Sequence, residues 1–187
     1  MPSLPRPPLV TLPAILALAA ALSAGCSVQQ TTDRCASESA SLSDLITCVR
    51  KKHAATQRCD ALPKGRAAAP VSGRRILKFG DTTNYGGTSK GMVFGTSDRA
   101  AVHAPVSGTV TFADPFRSYG DLVIVDACTK VALLAGTFSP NVIAGEPIAA
   151  GDAVALMRKI SAEDPVLYLE LREEGKAVDP AGLLPAE

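Results

Sequence analysis

From residue 71 onward the chain offers no helical repeat; it runs as short alternating or wholly apolar stretches, each closed by a turn signal. The stretches fall at residues 75–79, 92–95, 101–104, 108–113, 122–126, 130–135, 153–158 and 167–172. Phe79-Gly80-Asp81, Tyr85-Gly86-Gly87, Ser118-Tyr119-Gly120, Ala144-Gly145-Glu146-Pro147 and Ala150-Gly151-Asp152 separate them. Strands this short bury apolar surface only against one another. The pattern therefore predicts a mainly β fold, an antiparallel sandwich or partly rolled sheet. Trp is absent and aromatic residues make up 4% of the chain, so the core has to rest on Val, Leu, Ile and Ala, which suit a pleated surface.

Ahead of this region the composition changes twice. Residues 9–22 (LVTLPAILALAAAL) are apolar throughout and follow Arg6. They are too few for the ~20 residues of a spanning helix but fit the apolar part of a signal peptide, which marks the chain as exported. They lead into Leu22-Ser23-Ala24-Gly25-Cys26, which resembles a lipobox, the signal after which bacteria cleave the chain and acylate the cysteine. Residues 1–25 are thus read as a lipoprotein-type signal peptide and Cys26 as the lipidated residue. Ser27 after it points to a periplasmic protein anchored in the outer membrane; ordinary cleavage near Ala24, leaving Cys26 a plain thiol, is the alternative.

Residues 26–40, rich in Ser, Thr and Gln, read as a tether. Residues 41–62 read as an amphipathic helix, because Leu42, Leu45, Ile46 and Val49 recur at helical spacing. Ser41 or Ser43 can cap its start, and Asp44 suits the positive end of its dipole. Arg50, Lys51, Lys52 and His53 form its polar side, residues 63–69 a linker, and residues 70–187 the β-domain. Apart from Cys26 the chain holds Cys35, Cys48, Cys59 and Cys128. An even number in an oxidising compartment predicts two disulfides, with three connectivities open. Because Cys128 lies far from the other three, a bridge from the amino-terminal segment to the β-domain is expected. A zinc knuckle lacks its paired Cys-x-x-Cys spacing. The net charge of +1 gives no reason to expect a nucleic-acid partner.

The order of the β segments resembles the LytM (lysostaphin-like) peptidase domain. Pro70-Val71-Ser72-Gly73 with Lys78-Phe79-Gly80 resembles its opening strand, and Lys90-Gly91-Met92-Val93 its glycine-centred first metal motif. Residues 102–110 (VHAPVSGTV) are similar to its Val-x-Ala-x-x-x-Gly-x-Val hairpin, and residues 119–125 (YGDLVIV) to the next strand. Residues 144–152 (AGEPIAAGD) match its late glycine turn, and Leu167-Tyr168-Leu169-Glu170-Leu171-Arg172 its closing strand. Active members hold zinc with a His and an Asp of a His-x-Gly-x-Asp motif and a His of a closing His-x-His motif. The resemblance puts Ser89 and Val93 at the first pair, Val166 and Tyr168 at the closing pair, and the auxiliary His position near Gly136. Catalytic zinc needs about three N, O or S ligands and an open site for water, and these side chains do not supply them. His53 sits on the lead-in helix, His103 occupies a strand position that the family does not use for metal, and Cys128 is better explained by a disulfide. No cofactor and no peptidase activity are expected.

These departures resemble those of EnvC-type murein hydrolase activators, in which the emptied cleft receives a regulatory helix of a peptidoglycan amidase. That resemblance implies a docking groove lined by Lys90, Tyr168 and Arg172, with Tyr168 as aromatic anchor and the two cations available to carboxylates. It also implies a non-catalytic protein that activates a cell-wall hydrolase. A peptidoglycan-binding structural lipoprotein and an active zinc endopeptidase are the alternatives. The long coiled coil of those activators has no counterpart here, so recruitment would fall to the lipid anchor.

Overall fold

The computed structural model describes residues 32–54, 69–84 and 86–184. The expected signal peptide, Cys26, Cys59, the end of the lead-in helix and most of the 63–69 linker lie outside them.

Helix α2 spans Leu42–His53. Ser41 is its N-cap in a capping box with Asp44, each side chain accepting the other's backbone N–H. Residues 32–38, expected as tether, are helical (α1). They bury Thr32 and Cys35, and the Cys35–Cys48 disulfide staples α1 to α2.

Eleven strands follow among the described residues: β1 Gly73–Leu77, β2 Met92–Thr96, β3 Ala101–His103, β4 Gly108–Pro115, β5 Asp121–Ala127, β6 Lys130–Gly136, β7 Phe138–Pro140, β8 Pro147–Ile148, β9 Ala153–Met157, β10 Val166–Glu173 and β11 Lys176–Val178. The large sheet runs β1-β2-β10-β6-β5-β4-β8, with β11 also on β10; the small sheet runs β3-β9-β7. Every named pair is antiparallel. The expected β architecture is present. All eight expected segments are strands within a residue or two of their ends; β7, β8 and β11 are additional.

The large sheet is covered on both faces, which explains why β5 and β6 read as continuous apolar runs. Val123, Val125, Ala132 and Leu134 join Val102, Phe138, Val154 and Met157 of the small sheet in one core. Their neighbours Leu122, Ile124, Val131 and Leu133 turn the other way and pack with Leu42, Leu45, Ile46 and Val49 of α2. Period-two alternation thus assigns each strand residue to one core or the other.

Three polar anchors fix the helices on this second face. Arg50 donates from Nε to Asp126 Oδ2 (2.8 Å) and from Nη2 to the Cys128 carbonyl (2.7 Å). Arg117 donates from Nε and Nη2 to the Ser39 carbonyl, and Arg172 reaches Ser43. Cys128 is itself disulfide-bonded, so it is no free thiol.

Candidate functional site

The candidate site lies where β2 and β10 run side by side on the helix-covered face. Tyr168 stands directly opposite Val93, and Val166 opposite Gly95. Facing residues on paired strands bring their Cβ atoms to roughly 5 Å, so the register joins Val93 and Tyr168, two of the four positions that the resemblance assigns to metal ligands, with Val166 two residues earlier on β10. Ser89 follows at the mouth of β2. Gly91 is required here: a Cβ on it would lie 2.3 Å from the Leu169 carbonyl oxygen and 2.9 Å from the Tyr168 ring. The tyrosine ring therefore packs directly on the glycine backbone.

Residues alternating along β10 share one face, and Tyr168, Glu170 and Arg172 form a chain on it. The Tyr168 hydroxyl donates to Glu170 Oε2 (2.7 Å), and Arg172 Nε donates to Glu170 Oε1 (2.5 Å). Arg172 Nη1 then donates to Ser43 Oγ in the first turn of α2 (2.9 Å). Glu170 is 3% exposed and Arg172 9%. Burial, reinforced by the hydrogen bond and the charge of Glu170, holds the Tyr168 hydroxyl protonated well above the ordinary phenol range.

This network corrects one expectation. Arg172 lines the groove, but it is no exposed cation awaiting a carboxylate, because Glu170 already neutralises it. Lys90 is exposed and forms no ion pair among the described residues.

Two adjoining hollows of ≈ 420 and ≈ 460 Å³ open above this strip. Lys90, Ser89, Thr88, Ser43 and Arg172 line both; Tyr168, Glu170 and Tyr119 line the larger. Lys90, Tyr168 and Arg172 thus meet around a single depression. Sequence reasoning missed Glu170, whose spacing of two from both Tyr168 and Arg172 was the available signal. It also missed Ser43, for which only capping chemistry offered a cue.

The donor set does not fit zinc. Ser89 commits its hydroxyl to the Gly91 carbonyl (2.8 Å), Val93 and Val166 have no donor atoms, and Tyr168 is bound to Glu170. Glu170 is the one carboxylate in the lining, and Arg172 engages it. His103 belongs to the small sheet, His53 is buried on α2, and Gly136 ends β6 opposite Leu167. Among the described residues no three His, Cys, Asp or Glu side chains gather closely enough to hold a metal ion.

Comparison with known proteins identifies the fold and the family. The catalytic domain of lysostaphin from Staphylococcus simulans superposes with a TM-score of 0.53 at 18% identity, over 59% of this chain and 90% of that one, which establishes a shared fold. Murein hydrolase activator EnvC of Escherichia coli (strain K12) is 33% identical over 120 residues, 63% of this chain and 29% of that protein. The lipoprotein NlpD/LppB homolog of Pseudomonas aeruginosa is 32% identical over 123 residues, 65% of this chain and 40% of that protein. The chain therefore spans less than half the length of either relative. The profile of Peptidase family M23 matches residues 87–180, from the mouth of β2 through β11. The resemblance to a LytM-type domain with an EnvC-like pattern is thereby shown, and the chain belongs to Peptidase family M23.

Proposed function

We propose that this protein is a non-catalytic member of the family that binds a peptidoglycan hydrolase, an amidase by preference, and activates it. The observation that carries this reading is the pairing of a retained groove with a lost donor set. The depression over β2 and β10 persists, while Ser89, Val93, Val166 and Tyr168 stand where the resemblance places metal ligands. Lys90 and Tyr168 offer a cation and an aromatic surface to a docking segment. The relatives named for hydrolase activation and as lipoproteins support the same reading. An exported chain held by a lipid at Cys26 to the periplasmic side of the outer membrane would place the groove beside the cell wall.

The test is dye release from labelled sacculi by a periplasmic amidase, with and without the mature chain. Release should rise only when both proteins are present, and Lys90→Ala should reduce the increase without altering the fold. Clearing by the chain alone, abolished by a chelator, would restore the peptidase reading. Co-sedimentation with sacculi that leaves every amidase unchanged would favour a structural peptidoglycan-binding lipoprotein instead.

A further inference from the structure

The smaller hollow lies between the first turn of α2, the loop entering β2 and the β10–β11 turn. Ser43, Phe79, Thr88, Lys90, Arg172 and Lys176 contribute to its lining, which contains no carboxylate. Glu170 lies beside it, but both its oxygens are engaged, one by Arg172 and one by Tyr168, so it directs no uncompensated charge into the space. Lys90 and Lys176 are exposed and belong to no ion pair among the described residues.

Arg34, Arg50, Arg158 and Lys159 each pair with a carboxylate, whereas Lys51, Lys52, Arg74, Lys78, Arg99 and Lys130 form no ion pair among the described residues. Lys90 and Lys176 are the two unpaired cations that line this hollow, beside the hydroxyls of Ser43, Thr88 and Ser89 and the Phe79 ring. Glu173 stands opposite Lys176 in the β10–β11 register without forming an ion pair among the described residues, so both lysines keep donors for an anionic ligand of complementary charge. At ≈ 420 Å³ the hollow falls within the usual ~300–1,000 Å³ of ligand sites, large enough for several covalently joined groups.

We propose that this pocket receives the acidic side chains of a peptide segment presented by the partner protein, with Lys90 and Lys176 as paired cations and Ser43 and Thr88 as hydrogen-bonding walls. The inference rests on the docking reading above and names the chemistry of the docked segment. Ser43 precedes the family match at residues 87–180, so α2 contributes a wall that the matched domain alone does not provide.

Fluorescein-labelled hexaglutamate, followed by anisotropy against the mature, oxidised chain, provides the probe. Saturable one-to-one binding is expected, and Lys90→Glu with Lys176→Glu should weaken it about tenfold or more. Lys51→Glu with Lys52→Glu makes the same change of net charge roughly 12 Å further along α2 and should leave binding within about twofold. Equal losses from the two double variants, or no saturation, would overturn the proposal. So would inorganic phosphate competing as well as hexaglutamate, which would make the pocket a site for free anions. Unchanged melting of the Lys90/Lys176 variant confirms that folding is not the cause. If hexaglutamate binds but the chain stimulates no amidase, the activation reading fails and the pocket stands. If stimulation survives the loss of both lysines, the pocket assignment fails and activation stands.

Discussion

Replacing Arg172 with Leu tests whether the buried network on β10 is an electrostatic unit. The substitution removes the guanidinium from Glu170, which stays 3% exposed with the Tyr168 hydroxyl as its remaining partner at 2.7 Å. Stranding a buried charge costs about 3–5 kcal/mol. Urea unfolding of the oxidised chain at pH 7 measures it as a lower midpoint. Adding Glu170→Gln to Arg172→Leu removes the stranded charge and should recover most of the loss. An equal deficit in the single and double variants would refute the reasoning and reduce Arg172 to a packing and Ser43-bonding role.

Leu45 is fully buried between α2 and the large sheet, so Leu45→Ala should cost about 2–5 kcal/mol in the same unfolding assay. The Cys35–Cys48 bridge closes a loop with a sequence separation of 13; replacing both cysteines with Ser should cost about 3 kcal/mol, read as a lower urea midpoint. His53 is buried, and desolvation lowers its proton affinity, with the charge of Asp126 acting in the opposite sense. In acid the unfolded chain takes up the imidazole proton before the folded chain does. Wild type should therefore lose stability as pH falls below about 6.5, and His53→Gln should flatten that part of the profile.

How much of this was legible in the sequence depended on the range of each interaction. Strands β4, β5, β6 and β10 declared themselves because alternation or unbroken apolarity is a local property. β7 and β11 are three residues long and β8 two, too short for a period to show, and Pro140 and Pro147 mark β7 and β8 as turn-like. Helix α1 escaped because its inward residues are Thr32 and Cys35, followed by Ser39 beyond its end; the spacing is helical but small polar side chains hide it. Within the groove, the positions of Lys90, Tyr168 and Arg172 followed from the order of the family's motifs. That Arg172 is neutralised depends on Glu170 being buried, and that Ser43 meets it depends on a contact across 129 positions. No local pattern encodes either.

The division of the helix-covered face constrains any regulatory role. Over β4, β5 and β6 the outward side chains are Phe112, Leu122, Ile124, Val131 and Leu133, and α2 seals them. Over β2 and β10 the outward positions become Val93, Gly95, Tyr168, Glu170 and Arg172, and the seal ends at Ser43. The boundary is thus drawn where aliphatic side chains give way to a polar chain, because an apolar helix face gains nothing by covering an ion pair. A segment docking in the open part must lie against the first turn of α2, since Ser41, Leu42 and Ser43 form its wall. Loosening that helix from behind, through Leu45 or the Cys35–Cys48 staple, should therefore shift the wall and weaken docking while leaving Lys90, Tyr168 and the strands beneath them intact. The groove and the helical hairpin are on this argument one mechanical unit, and substitutions that never touch the partner should alter its binding.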